Sequence, residues 1–173
     1  MHKKGRILMV VAQRDFRDEE YQEPKEVFQE HGFEVITASE RKGEALGKLG
    51  LKIWASTSLD EVSPRDYEAI VFVGGDGSSD YFHDGEALNL AREAFEAGKV
   101  IGAICIAPSI LANAGILQGK KATSFSSQRE NLEARGAIYT GIAVENDGKI
   151  VTANGPLAAQ KFGEKIVELM AHS

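Results

Sequence analysis

The chain of 173 residues contains a single cysteine, Cys105, in the run "VIGAICIAP" (100–108). Small residues two positions to either side give Ala103-Ile104-Cys105-Ile106-Ala107 the layout of a nucleophile elbow, a sharp strand-to-helix bend that holds a nucleophile strained and exposed. Pro108 suits the first turn of the helix that follows, whose unpaired N–H groups and positive dipole end would be directed at the sulfur. Such surroundings lower a thiol pKa and favour thiolate at neutral pH. A free cysteine also serves as a small buried hydrophobe, so the elbow needs partners before it implies chemistry. The run "VFVGGDG" (71–77) ends in Gly74 and Gly75, where a backbone amide can approach a ligand closely; the amides of Gly75 and Ile106 together could receive a developing oxyanion. The run "AQRDFRDEEYQEP" (12–24) is acidic. Asp18 and Glu19 suit the solvated first turn of a helix, and any carboxyl of this stretch that reached the thiol would have its pKa raised by burial and by the sulfur's charge. The glycines do not form a phosphate loop, because no Lys-Ser or Lys-Thr follows and the dinucleotide spacing is absent.

All three runs must be carried to one place. Buried strands are expected at 6–12, 33–39, 67–75 and 100–105, where aliphatic and β-branched residues are continuous. Helical periodicity lies between them. One helix is expected over 19–32, with Tyr21, Val27, Phe28 and His31 near one face and Gly32 as a stop; another over 85–99, with Leu88, Ala91 and Phe95 inward and a stop at Gly98. Pro24 should kink the first helix or lie in its first turn. The alternation predicts one α/β domain spanning 1–173, a mostly parallel sheet with helices on both faces. "AVENDGKIVTA" (143–153) predicts an antiparallel hairpin turning at Asp147-Gly148. The last helix should place Leu157, Phe162, Ile166, Val167 and Met170 inward. In such sheets ligands bind beyond the C-terminal strand ends, where Cys105, Gly74-Gly75 and the acidic run all fall.

The formal net charge of −6, with both signs interspersed, provides no basic stripe for nucleic acid and no polybasic patch for a membrane. The apolar part of the N-terminus is too short to span a bilayer. One cysteine excludes an internal disulfide and a clustered thiolate metal site, which fits a cytoplasmic protein needing no metal or other cofactor.

The residues are similar to those of the ThiJ/PfpI superfamily over almost the whole chain: "ILMVVAQRDFRDEEYQEP", "AIVFVGGDG", "AREAFEAGKVIGAICIAPSILANAGILQGKKATSF" and "NDGKIVTANGP". The resemblance implies a flavodoxin-like three-layer sandwich, a homodimer or higher homo-oligomer, and Cys105 as the reactive centre. It also implies an acid from the first helix hydrogen-bonded to that cysteine. Counting back from Pro24 and Gly32, which have counterparts in the family pattern, the acid falls on Glu20, and the oxyanion-binding backbone on Gly75 and Ile106 beside Gly74. Departures bear on activity. Protease-like members carry histidine where this chain has Ile106, which removes the expected imidazole base and weakens a peptidase or amidase reading. Ala107 replaces a usual glycine, and Phe125 stands over the pocket where members carry histidine or tyrosine. Of the histidines, His2, His31, His83 and His172 all lie outside the elbow pattern, and His83, after a strand-end loop, is the one candidate for the pocket. The expected function is a cysteine-dependent, glyoxalase- or deglycase-like enzyme acting on small reactive carbonyls through a Cys105 thiolate, with Glu20 as proton carrier. A stress protein that is oxidised at Cys105 without turnover is a third reading.

Overall fold

A computed structural model describes residues 4–171; His2 and His172 lie outside the described residues. The chain begins β1 (Arg6–Val10), β2 (Arg14–Phe16), α1 (Asp18–Glu30), β3 (Glu34–Ser39), β4 (Gly43–Gly47), β5 (Lys52–Ala55), β6 (Thr57–Ser58) and β7 (Ala69–Phe72). It continues α2 (Gly85–Glu96), β8 (Val100–Ile104), α3 (Pro108–Asn113), β9 (Lys121–Ala122), α4 (Arg129–Ala134) and β10 (Ile138–Tyr139). It closes with β11 (Val144–Asp147), β12 (Ile150–Ala153) and α5 (Ala159–Ala171). Seven strands make the central sheet in the order β11-β12-β8-β7-β1-β3-β6. Every pairing in it is parallel except β11 with β12, the hairpin expected at Asp147-Gly148.

The continuous apolar runs follow from burial on both faces. Leu8, Val10, Ile70, Phe72 and Ile101 pack with α2, α3 and α4, whereas Ile7, Met9, Val71 and Ile104 pack with Phe28 of α1 and Phe162 and Ile166 of α5. Gly102 leaves room for that second layer, since a Cβ there would lie 2.7 Å from Ile166 Cδ1 and 2.9 Å from the Phe162 ring. This is the mixed three-layer α/β architecture that the alternation predicts. Among the described residues no helix is long and apolar enough to cross a membrane.

Several expectations need correction. The 67–75 run is a strand only over 69–72, because Gly74 and Gly75 turn away from the sheet to form the corner described below. In α2 the buried face is Ala87, Leu90, Ala91 and Ala94, whose small side chains let the helix lie close to the sheet; Leu88 is half-buried, and Phe95 faces outward beneath the Lys120 ammonium. His31 caps α1 in an exposed position, its ring Nδ1 2.9 Å from the Val27 carbonyl. Leu157 is fully exposed, because it lies in a separate 3-10 turn (Pro156–Ala158) before α5 begins. Pro24 sits within α1 beyond its first turn, packed on Gly163 of α5, where a Cβ would lie 3.0 Å from Pro24 Cα. A second sheet, β2-β4-β5, and the short β10-β9 pair were not expected. The β4–β5 hairpin presents the chain's one tryptophan, Trp54, 70 % exposed, on its second strand, and exposed Leu49 in its turn.

Candidate active site

Cys105 follows β8 directly and adopts φ 66°, a left-handed conformation that a residue with a Cβ resists by about 1–2 kcal/mol. Two backbone hydrogen bonds hold it there. Its N–H donates to the Ala153 carbonyl of β12 at 2.9 Å, and its carbonyl accepts from Phe125 N–H at 2.8 Å. The bend is therefore fixed between neighbouring segments, as an elbow requires.

Gly74 and Gly75 form the facing wall. A Cβ on Gly74 would strike Glu20 Oε1, and would come within 2.5 Å of the Ile104 carbonyl and 2.6 Å of Cys105 Cβ. Gly75, at φ 103°, has no room either: its Cβ would lie 2.5 Å from the Asp15 carbonyl. Arg17 N–H donates to the Gly74 carbonyl at 2.9 Å, which ties the start of α1 to this corner. The backbone amides of Gly75 and Ile106 are both close enough to the sulfur to lower its pKa.

Burial and charge outweigh them. Desolvation first and the nearby Glu20 carboxylate second push the Cys105 thiol up to about 12. This reverses the expected depression of the thiol pKa, since α3 is only six residues long and the sulfur is half-buried. Both influences favour the protonated form of the thiol.

The acid beside it is Glu20, which is completely buried. Neither carboxyl oxygen completes a hydrogen bond among the described residues. Burial drives its pKa up to about 8, against opposing contributions from the Cys105 thiol, the Arg17 guanidinium and the Gly74 amide. The neighbouring acids have different tasks. Glu19 is a partner of Arg17 at 2.9 and 3.0 Å, which holds its carboxyl below the usual value. Asp18 accepts from Leu49 N–H at 3.0 Å and Leu51 N–H at 2.9 Å, fastening the β4–β5 turn to α1. A thiol, a carboxyl that titrates near neutrality and two convergent amides can together perform nucleophilic addition to a carbonyl with proton transfer.

Phe125 is brought to this centre through its bond to the Cys105 carbonyl, and lines a cleft of about 380 Å³ with Tyr139, Asn154, Pro156 and Leu157. His83 is exposed in the turn before α2, and no interaction joins it to Cys105 or Glu20. Among the described residues no group of three or more histidine, cysteine or acidic side chains could hold a metal ion. The residues that the sequence reading passed over are Tyr139, Asn154 and Leu157. The run "NGP" (154–156) right after β12, which ends opposite Ile104, is the signal that marks Asn154.

An α/β sandwich with a cysteine at a strained strand end and a buried acid facing it defines the class of protein. The DJ-1/PfpI family model matches residues 5–169, and the chain belongs to that family. It is 43% identical over 169 residues to an uncharacterized protein of Methanocaldococcus jannaschii, covering 96% of this chain and 82% of that one. It is 30% identical over 165 residues to a deglycase of Pyrococcus horikoshii, covering 95% of this chain and 99% of the relative. Among solved structures it is similar to a ThiJ/PfpI domain protein from Brachyspira murdochii, with TM-score 0.96 and 32% identity over 99% of both chains.

Proposed function

We propose that the protein is a cysteine-dependent enzyme that converts small 2-oxoaldehydes such as methylglyoxal into 2-hydroxy acids, without a cofactor. The observation that carries this reading is the juxtaposition of Cys105, strained at φ 66°, with a fully buried Glu20 whose pKa lies near 8. The deglycase name of relatives at about 30% identity supports it.

With a pKa of about 8, roughly a tenth of Glu20 is ionised at pH 7, enough for a general base. The Glu20 carboxylate takes the thiol proton as sulfur attacks the aldehyde carbon, and the oxyanion forms against the Gly75 and Ile106 amides. Protonation by Glu20 completes a hemithioacetal. Glu20 then removes the proton of that carbon while the neighbouring carbonyl oxygen is protonated, giving an enediol; return of the proton to the second carbon with loss of the first carbon's hydroxyl proton leaves a thioester of lactate. Water cleaves the thioester and the thiol is restored; the sum is methylglyoxal plus water to lactate, with no net oxidation. Ile106 offers no imidazole, so the proton traffic falls to Glu20.

The test is lactate formation from methylglyoxal. Cys105→Ala and Glu20→Gln should each reduce it at least a hundredfold, and unchanged activity in Cys105→Ala would reject the reading. We also propose self-association through the β4–β5 hairpin, supported by the exposure of Trp54 and Leu49.

A further inference from the structure

Among the described residues only two that are not glycine adopt a positive φ: Cys105 at 66° and Asp15 at 64°. The first is the elbow. The second lies in β2, its side chain exposed and without a hydrogen-bond partner among the described residues. A left-handed residue that bears a Cβ is strained by about 1–2 kcal/mol, and such strain persists only where the surrounding structure enforces it. Nothing that the Asp15 carboxylate touches explains the cost.

The explanation lies in the backbone. Leu46 N–H donates to the Gln13 carbonyl and Lys48 N–H to the Phe16 carbonyl, each at 2.9 Å. The step from 13 to 16 along β2 is thus matched by the shorter step from 46 to 48, and the register shifts between Arg14 and Phe16. Asp15 is the extra residue of a β-bulge, in a left-handed conformation that aspartate tolerates better than most residues. Bulges recur beside active sites, where they redirect the chain.

This bulge is moulded to the 74–77 turn. A Cβ on Gly75 would strike Arg17 N, the Asp15 carbonyl and Phe16 C, and one on Gly77 would strike the Arg14 carbonyl. The turn therefore cannot move independently of residues 14–17. The bulge also delivers Arg17 N–H to the Gly74 carbonyl at 2.9 Å. No peptide bond among the described residues is cis, and in a trans peptide the C=O and N–H point in opposite directions. Pinning the Gly74 carbonyl on Arg17 thus turns the Gly75 N–H away from Arg17, into the corner where the sulfur senses it.

We infer that Asp15 is a positioning residue: as the left-handed residue of the β2 bulge it holds Arg17 N–H on the Gly74 carbonyl and thereby aims the Gly75 amide at the reacting centre. It acts through backbone shape and not through its carboxylate. The inference rests on the carbonyl reading for what that amide does in turnover, but the placement of the corner is measurable without turnover.

The test compares Asp15→Val, whose branched side chain resists a positive φ, with Asp15→Gly, which adopts it freely. Amide hydrogen exchange followed by NMR reads the placement. In Asp15→Val the Arg17 amide should lose at least about tenfold in protection relative to Val73, whose N–H donates to the Val10 carbonyl outside the bulge; in Asp15→Gly it should match wild type. Lactate formation reads the consequence. A displaced oxyanion donor loses transition-state stabilisation alone, so kcat should fall at least about tenfold in Asp15→Val with KM little changed, and Asp15→Gly should rescue it. If Asp15→Val does not fold, Asp15→Ala makes the same comparison with a smaller strain. Unchanged Arg17 protection in the folded variant, or an equal loss of activity in Asp15→Gly, overturns the inference. Loss of Arg17 protection in a protein whose wild type forms no lactate sustains the inference and rejects the carbonyl reading.

Discussion

Glu20 and Cys105 occupy one desolvated corner, and they influence each other unequally: the Glu20 charge raises the thiol pKa, whereas the nearby thiol lowers that of the carboxyl. The carboxyl therefore loses its proton first, near pH 8, and the thiol far later. An arrangement ordered in this way favours the protonated sulfur beside a carboxyl that ionises before it.

The same ordering makes stability depend on pH. Glu20 has a folded-state pKa near 8 against an ordinary value of 4.5, so its favourable contribution is complete below pH 4.5 and is lost as pH rises through 8. At about 1.4 kcal/mol per pKa unit, the loss is on the order of a few kcal/mol. Thermal melting of wild type and Glu20→Gln between pH 5 and 8.5 checks this. The two Tm values should be similar at pH 5, and the variant should be the more stable at pH 8.5; parallel curves would show that Glu20 is not buried as an acid.

Thiol reactivity provides an independent readout. Iodoacetamide alkylation of Cys105, followed by mass spectrometry, should be slow at pH 7 and should accelerate only at alkaline pH, beyond the ordinary thiol value of 9. Removing the second of the two causes with Glu20→Gln should bring the midpoint down, though burial will still hold it above 9. A wild-type midpoint near 7 would restore a resting thiolate. Mild peroxide in the same assay, with a stable gain of two oxygens at Cys105 and no consumption of carbonyls, would favour the redox-responsive reading instead.

Two glycine substitutions separate the corner from the rest of the chain. Gly74→Ala drives a methyl into the Glu20 carboxyl, the Ile104 carbonyl and Cys105 Cβ, which should cost about 1–3 kcal/mol and reduce lactate formation at least tenfold. At Gly85, by contrast, a Cβ meets nothing within 4 Å, and Gly85→Ala should leave the denaturant midpoint close to wild type. Urea unfolding and initial rates on both variants test the contrast.

Self-association can be followed through the one tryptophan. Trp54 is 70% exposed on the β4–β5 hairpin, so its emission should be that of a hydrated indole in dilute solution and should shift blue as copies associate. Trp54→Lys should remain monomeric by light scattering at concentrations where wild type does not. A wild type that is monomeric throughout would set the proposed interface aside.

The sheet, its order of alternation and the C-terminal hairpin were legible because both-face burial writes continuous apolar runs and Asp147-Gly148 writes a turn. The elbow at Cys105 was legible for the same kind of reason, since small flanking residues are needed at a fixed spacing. Residue faces were less so. Alanines make up much of the buried side of α2, and a periodicity read from Leu88 and Phe95 misses a face made small for close packing. Leu157 was misplaced because nothing in "GPLAAQ" separates a 3-10 turn from the first turn of a helix. The thiol's electrostatics could not be read at all, because the decisive quantity is how far Glu20 and the sulfur are removed from water. The β2-β4-β5 sheet was missed because its strands are three to five residues long and largely polar or glycine-bearing.

Pro24 has no amide hydrogen to offer the Glu20 carbonyl one turn before it, so that turn of α1 is braced from elsewhere, by Asp18 on the amides of Leu49 and Leu51 and by Arg17 on Gly74. The turn that carries the acid is thus fastened to a surface loop. A change of length at 47–51 would therefore reach Glu20 through Asp18 without altering any side chain of the Cys105 corner.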